Sequence, residues 1–87
     1  MINLRPVVMW GVLWRSNNQL DGRTEYLIRD YDDGNLVLFR SCRDTRVWIE
    51  AHYGHLRTRP DLQREPFGWK MPIPVRVEMR VLLRRKK

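Results

Sequence analysis

Two histidines, one cysteine and a few carboxylates are the side chains of this sequence that could support catalysis or bind a metal. His52 and His55 lie three residues apart, and Cys42 is the one cysteine. Zinc sites place their ligands in recognisable spacings, and neither Cys-x-x-Cys nor His-Glu-x-x-His occurs. Glu50 and Asp61 could work as an acid and a base only if the fold brought them together in a pocket. The sequence therefore predicts a non-enzymatic protein that uses no metal and no other cofactor.

Arginine is the residue type whose number and position point to a function. The 87 residues contain 17 Lys or Arg and 10 Asp or Glu, for a formal net charge of +7. Residues 1–44 carry six Arg and six acidic residues, so the whole excess lies in residues 45–87. Such a positive field attracts polyanions, and arginine binds phosphate or carboxylate through two parallel hydrogen bonds. Nucleic acid or a protein complex with an acidic surface is therefore the expected partner.

The candidate binding residues lie in the second half of the chain. They belong to the segment after the predicted helix, to the last predicted strand and to the basic C-terminal run, and they are Arg57, Arg59, Arg76, Arg80, Arg84 and Arg85. Residues four apart on a strand are about 13 Å apart, which is a few phosphate steps of one nucleic-acid strand. Such a row could follow a backbone without reading bases. The alternative interpretation is a solvated edge strand whose charges prevent aggregation.

Length and composition are typical of a small single domain. With 87 residues the chain is shorter than the usual domain of about 100–150, so residues 1–87 are predicted to form one domain with a flexible basic tail at 84–87. The hydrophobic share of 43% excludes wholesale disorder. No apolar run reaches the roughly 18–20 residues of a membrane helix, and no signal-peptide pattern is present. One cysteine suits a reducing compartment. We expect a cytoplasmic protein with no membrane partner and no small-molecule substrate.

The first half of the sequence predicts three strands. Residues 7–14 are uncharged and rich in β-branched and aromatic side chains, and residues 24–30 form a second candidate strand. The turn residues Asp32-Asp33-Gly34-Asn35 lead directly into the apolar residues 36–39, which is typical of a hairpin. Three antiparallel strands in a row predict a meander. Trp10 and Trp14 share one face of the first strand, and the pattern leaves open whether they are core residues or an exposed platform for stacking.

A helix is predicted over about residues 42–53. Ser41 and Asp44 have the spacing of a capping box, Trp48 is the expected core anchor, and Gly54 is the expected terminator. Residues 55–72 contain three prolines and no periodicity, although Pro60 could begin one helical turn.

The last predicted strand begins at Ile73 and alternates apolar with charged residues. Its charged face carries Arg76, Glu78 and Arg80, and the other face is expected to be buried against the core. The buried row comprises Ile73, Val75, Val77, Met79, Val81 and Leu83. The predicted fold class is α+β, a small antiparallel sheet in the order β-β-β-α-loop-β with one helix packed on the sheet.

The junction between the third strand and the helix resembles a motif of phage proteins. The segment from Phe39 to Trp48 is similar to the Phe-x-Thr-x-x-Glu-Ala-x-x-Trp pattern of AP2-like, arm-type DNA-binding domains at the N-terminus of phage integrases. Ser41 stands for the Thr, Asp44 for the Glu and Thr45 for the Ala. The resemblance covers residues 7–53 and implies a three-stranded meander and a helix, with a sheet that enters the DNA major groove. The first strand lacks the basic outer face of such a sheet, and residues 54–87 have no place in that domain.

The chain as a whole resembles the small orphan proteins encoded in phage and prophage regions. That resemblance implies one of two functions in the host cytoplasm. The leading hypothesis is binding of a DNA or RNA backbone through the Arg-rich second half. The alternative hypothesis is a protein–protein inhibitor of a host or defence complex, of the anti-CRISPR or host-takeover type.

Overall fold

The computed structural model describes residues 5–80, in which one main helix packs on a small antiparallel sheet. The strands are β1 (Val7–Asn18), β2 (Gly22–Leu27), β3 (Leu38–Phe39) and β4 (Trp69–Met79). Helix α1 spans Cys42–Tyr53, a 3-10 helix spans Gly54–Thr58, and α2 is the single turn Pro60–Gln63. The predicted α+β class and the order β-β-β-α-loop-β are confirmed.

Strand β1 is the centre of the sheet. It pairs with β4 from Val7 to Ser16, and it pairs with β2 from Leu13 to Asn18 and with β3 at residues 10 and 11. Several residues of β1 pair with β4 and at the same time with β2 or β3. Because a strand has only two edges, β2 and β3 both lie on the edge of β1 opposite to β4. Strands β2 and β3 thus form one interrupted edge strand, and residues 28–37 leave the sheet between them.

The predicted turn is present, but the predicted meander is wrong. The Asp30 N–H donates to the Asn35 carbonyl at 2.7 Å, and Arg29 and Leu36 form an isolated bridge. The Val37 N–H then donates to the Ile28 carbonyl at 3.1 Å, which returns the chain to the edge of β1. Strand β3 therefore pairs with β1 and not with β2, so the first strand is central instead of the second.

The core lies between α1 and one face of the sheet. Val12 is fully buried and Ile49 of α1 is 4% exposed, and both belong to one hydrophobic cluster. Because side chains alternate along a strand, Trp10 and Trp14 share the face of Val12. Trp14 belongs to the core, with its ring 5.7 Å from that of Tyr53. Trp10 is half-buried and lies outside the hydrophobic cluster.

Helix α1 has the predicted bounds, but it does not end at a glycine in the left-handed conformation. The Ser41 hydroxyl accepts a hydrogen bond from the Asp44 N–H at 3.1 Å, as the capping pattern predicts. Gly54 has φ −57° and ψ −27°, and the chain continues there into the 3-10 helix. This continuation buries Leu56, which is 1% exposed. Gly54 ends α1 as predicted and is its C-cap, but the chain continues from it into a tighter helical turn instead of leaving through a left-handed glycine.

Strand β4 begins at Trp69, four residues before its predicted start. Gly68 precedes it with φ +61°, and the Gly68 carbonyl accepts a hydrogen bond from the Asn17 N–H at 2.9 Å. The register shifts between Leu13 and Arg15, which marks a β-bulge. Pro72 lies at this irregular stretch on an edge strand, where a missing N–H is tolerated. The single helical turn predicted at Pro60 is present as α2.

The apolar row of β4 faces away from α1. Ile73 lies opposite Leu13 and Val77 lies opposite Met9, on the face of β1 that points away from the core. Arg76 lies opposite Trp10 and therefore shares the α1 side of the sheet. The alternation is confirmed for the described part of the strand, but the prediction that the apolar row is the core side is wrong. Helix α1 packs against the Val12 and Trp14 face instead.

Replacing Trp48 with alanine is expected to lower the free energy of unfolding by about 3 kcal/mol. Its ring stacks on His52 at 4.1 Å and packs at 6.1 Å from Phe39 and 6.0 Å from Tyr53. The control is Val47→Ala on the same helix, where the side chain is 63% exposed and the expected change is within about 0.5 kcal/mol. Urea denaturation measures both values. A loss below about 1 kcal/mol for Trp48→Ala would contradict this packing.

Candidate functional site

The structure separates the predicted binding arginines along the length of β4. Arg57 lines an open cleft together with Lys70, at the start of β4. Arg76 lies near the other end of that strand, six residues or about 20 Å from Lys70, and Arg80 directly follows the last strand residue, Met79. Arg59 follows Arg57 closely, directly before α2. The described residues therefore do not unite these four arginines in one cluster. The predicted residues Arg84 and Arg85, together with Val81 and Leu83 of the predicted row, lie outside the described residues.

Arg57 and Arg59 are engaged by neighbouring carboxylates. Arg57 donates to Glu50, and Arg59 donates to Asp61 through two nitrogens at 3.0 and 2.8 Å. The hydrogen bond from Arg57 lowers the pKa of Glu50, and that from Arg59 lowers the pKa of Asp61. Both carboxylates are therefore ionised at neutral pH and offset the two guanidinium charges. The same contacts occupy the two carboxylates that the sequence offered for acid–base chemistry.

The histidines and the cysteine are spread along α1 and the 3-10 helix. The Nδ1–H of His52 donates to the Trp48 carbonyl at 2.9 Å while its ring stacks on the indole. Cys42 is the first residue of α1, about 15 Å from His52 along the helix axis. Within residues 5–80, no group of three or more His, Cys, Asp or Glu side chains could hold a metal ion.

Arg76, Trp10 and Phe39 form a row across three strands on the α1 side of the sheet. Trp10 lies opposite Arg76 on β4 and opposite Phe39 on β3. Directly opposed residues in antiparallel strands share a face, with Cα atoms about 4.5–5.5 Å apart, so the row is about 10 Å wide. Arg76 is exposed and Trp10 is half-buried. The row places Arg76 directly opposite Trp10 on one sheet face, and the ring of Trp10 is not part of the hydrophobic cluster.

Two further arginines follow residues of this row along the chain. Arg40 directly follows Phe39, and Arg80 follows Arg76 by four residues; both side chains are exposed. The salt bridges found between residues 5 and 80 involve Arg23, Arg57 and Arg59, and none involves Arg40, Arg76 or Arg80. We call the set of Trp10, Phe39, Arg76 and Arg80 the arginine–tryptophan face; Arg40 is not part of it, because alternation points the residue after Phe39 to the other side of the sheet. By sequence, the basic run 84–87 follows Arg80 after three residues.

Sequence reasoning identified the arginines of β4 but missed their neighbours. The period-two pattern predicts that Arg76 and Arg80 are exposed, and both are. It does not say that β4 pairs with β1, nor that Trp10 lies opposite Arg76, because register depends on contacts between distant segments.

No helix between residues 5 and 80 is long and apolar enough to cross a membrane. Compared with protein-family models, with curated proteins and with solved structures, the chain matches none. The resemblance of residues 7–53 to arm-type DNA-binding domains therefore stays a prediction. Any function has to be inferred from the site itself.

Proposed function

We propose that the protein binds the backbone of nucleic acid through the arginine–tryptophan face, with little sequence preference. The observation that supports this most is the pairing of Arg76 with Trp10 on one sheet face. Proteins that bind single strands combine cations that contact phosphates with aromatic rings on which bases stack. An exposed arginine with no salt bridge to any of residues 5–80, opposite a half-buried indole, offers both contacts at once.

The spacing of the arginines suits a backbone more than a set of bases. Arg76 and Arg80 are four residues apart, or about 13 Å on an extended chain, which spans a few phosphates. Contacts of this kind fix the position of a nucleic acid without reading its sequence.

In this proposal the protein is a non-catalytic binding module of phage type that acts in the host cytoplasm. It uses no cofactor, and its partner is DNA or RNA, not a membrane or a small molecule. The engagement of Glu50 by Arg57 and of Asp61 by Arg59 supports a role without acid–base chemistry. The tail residues Arg84 and Arg85 supply further phosphate contacts in the same proposal.

Replacing Trp10 with alanine is expected to weaken binding of a random-sequence single-stranded 20-mer by about 10- to 100-fold, the range measured for lost base stacking. Trp10→Phe keeps an aromatic face and should retain most of the affinity. The control is Tyr31→Ala, because Tyr31 is a fully exposed aromatic residue in the segment that leaves the sheet. Fluorescence anisotropy of the labelled strand measures all three.

Two results of this experiment would contradict the proposal. Equal affinities for wild type and Trp10→Ala would remove Trp10 from the site. A loss of equal size in Tyr31→Ala would show that any aromatic residue matters and that the face is not the site. Circular dichroism of each variant separates lost binding from lost structure.

A further inference from the structure

The sheet face opposite to α1 carries apolar side chains that no helix of residues 5–80 covers. It consists of the odd-numbered residues 7–13 of β1 and 73–79 of β4, with Leu27 of β2 and Leu38 of β3. We call it the apolar face. The hydrophobic cluster under α1 contains none of these residues. Helix α1 and the apolar face therefore lie on opposite sides of one sheet.

The apolar face is continuous and partly exposed to solvent. Val7 is 47% exposed, Ile73 is 36% exposed and Met79 is 41% exposed. Gly11 lies at its centre, where an added Cβ would be 3.0 Å from Val77 Cγ2 and 3.2 Å from Leu27 Cδ2. The side chains of Val77 and Leu27 therefore fill the space above Gly11, so the apolar face is continuous across the glycine.

The dimensions of the apolar face suit one helix. The face is three strands wide at Gly11 and Leu13, about 10 Å between the outer strand axes, and the six residue steps from 7 to 13 give a length of about 20 Å. An α-helix has a diameter of about 10–12 Å, and about 13 residues of helix span that length. The face therefore has the width and length of one short helix.

Two cations lie side by side at one end of the apolar face. Arg15 and Lys70 are register partners directly beyond Leu13 and Ile73, and Arg15 shares the side of Leu13. The Arg15 guanidinium donates to the Met71 carbonyl at 2.8 Å, and its Nε has no acceptor among residues 5–80. The carboxylate opposite Arg15, that of Glu25, is bound by Arg23 at 2.7 Å. The end of the face is therefore positive.

We propose that the apolar face binds an amphipathic helix of an acidic protein, whose apolar stripe covers the face and whose carboxylates contact Arg15 and Lys70. A second copy of the chain fits less well, because each copy carries a net charge of +7 and like charges oppose association. Nucleic acid also fits less well, since this face offers no aromatic ring for a base. The interaction is transient, as expected for a contact of this size.

The probe is a stapled 14-residue helical peptide with a stripe of leucines flanked by glutamates, and a matched peptide has lysines in place of the glutamates. The glutamate peptide should bind and shift the methyl NMR signals of Val75 and Val77. The lysine peptide should bind at least tenfold more weakly. Equal binding of the two peptides, or shifts confined to residues on the α1 side, would overturn the proposal.

The test variant is Ile73→Thr/Val77→Thr, which keeps β-branched side chains and the net charge. It should weaken binding of the glutamate peptide at least tenfold and leave the affinity for single-stranded DNA within twofold. The control is Val47→Thr, at an exposed valine of α1, which should change neither affinity. An unchanged peptide affinity in the double variant would overturn the proposal and leave the proposed nucleic-acid function untouched.

Two measurements on the free protein identify competing occupants of the apolar face. Sedimentation equilibrium should show a monomer, and a dimer that dissociates in Ile73→Thr/Val77→Thr would assign the face to a second copy. Nuclear Overhauser contacts from Leu82 or Leu83 methyl groups to Ile73 would mean that the chain covers its own face. Either result would replace the acidic helix as the occupant.

Discussion

Replacing Gly68 with alanine should lower the free energy of unfolding by at least about 3 kcal/mol. Gly68 has φ +61°, and a Cβ there would lie 1.9 Å from the carbonyl oxygen of Asn17 and 2.6 Å from its carbonyl carbon. The left-handed conformation alone costs a non-glycine residue about 1–2 kcal/mol. The overlap with the backbone adds to this cost, because no rotation of a side chain can relieve it.

The contact that Gly68 makes joins the loop to the end of the central strand. The Asn17 N–H donates to the Gly68 carbonyl, and Asn18 Nδ2 donates to the Phe67 carbonyl at 3.0 Å. Moving Gly68 away from Asn17 would break both hydrogen bonds and shift the start of β4. We therefore expect the loss to appear as reduced cooperativity of unfolding as well as reduced stability.

Gly34→Ala is the matched control for this prediction. Gly34 has φ +72°, but no atom of the described residues 5–80 lies within 4 Å of its added Cβ. The expected cost is then the conformational term alone, about 1–2 kcal/mol. Guanidinium denaturation of the two variants measures the difference. Equal losses in Gly68→Ala and Gly34→Ala would contradict the close approach of Gly68 to Asn17.

Elements defined by local signals were predictable from the sequence. Helix α1 has the predicted bounds because the Ser41 cap and the apolar stripe around Trp48 lie within a dozen residues. The turn at 30–35 and the single helical turn after Pro60 depend on the residues of those segments alone. The alternation along β4 was predictable for the same reason, since strand geometry fixes it.

Features that depend on distant contacts were not predictable. The pattern of β4 shows which residues share a face, but the side that packs on α1 is decided by where Trp14 and Val12 meet the helix. The pairing of β3 with β1 depends on the path of the segment between β2 and β3, which returns the chain to the edge of β1. The salt bridge between Arg57 and Glu50 joins residues seven positions apart and requires the 3-10 helix to follow α1.

The candidate site was predictable only in part, because it depends both on local alternation and on the register between distant strands. The exposure of Arg76 and Arg80 follows from alternation, whereas their position beside Trp10 follows from the β1–β4 register. The sequence alone gives no basis for distinguishing among the Lys and Arg residues of positions 45–87. The structure distinguishes the two that are bound to carboxylates, Arg57 and Arg59, from those that have no salt bridge within residues 5–80.

The double variant Arg76→Ala/Arg80→Ala should remain folded and bind a random-sequence single strand roughly 25-fold more weakly at about 0.1 M salt. Both side chains are exposed, so the stability should change little. Each lost phosphate contact reduces the slope of log K against log salt by about 0.7 for a single strand. The slope should therefore become less steep by about 1.4, equally for all sequences.

The double variant Arg57→Ala/Arg59→Ala removes the same formal charge from the other end of β4. Its partners Glu50 and Asp61 already offset these two guanidinium groups, so the loss of affinity should be several-fold smaller. Equal losses in the two double variants would mean that only net charge matters. An unchanged affinity in Arg76→Ala/Arg80→Ala would make this end of β4 a solvated edge. Release of a specific protein partner with intact nucleic-acid binding would support the inhibitor hypothesis.

The salt dependence of binding to random-sequence single-stranded DNA tests the proposed function most directly. Contacts from Arg76 and Arg80 alone predict a linear fall of log K with log salt and a slope of about −1.4, made steeper by any contact from the basic tail. The affinity should vary little between strands of different sequence. A slope near zero, or no binding at about 20 mM salt, where counterion release favours binding most, would contradict the proposal.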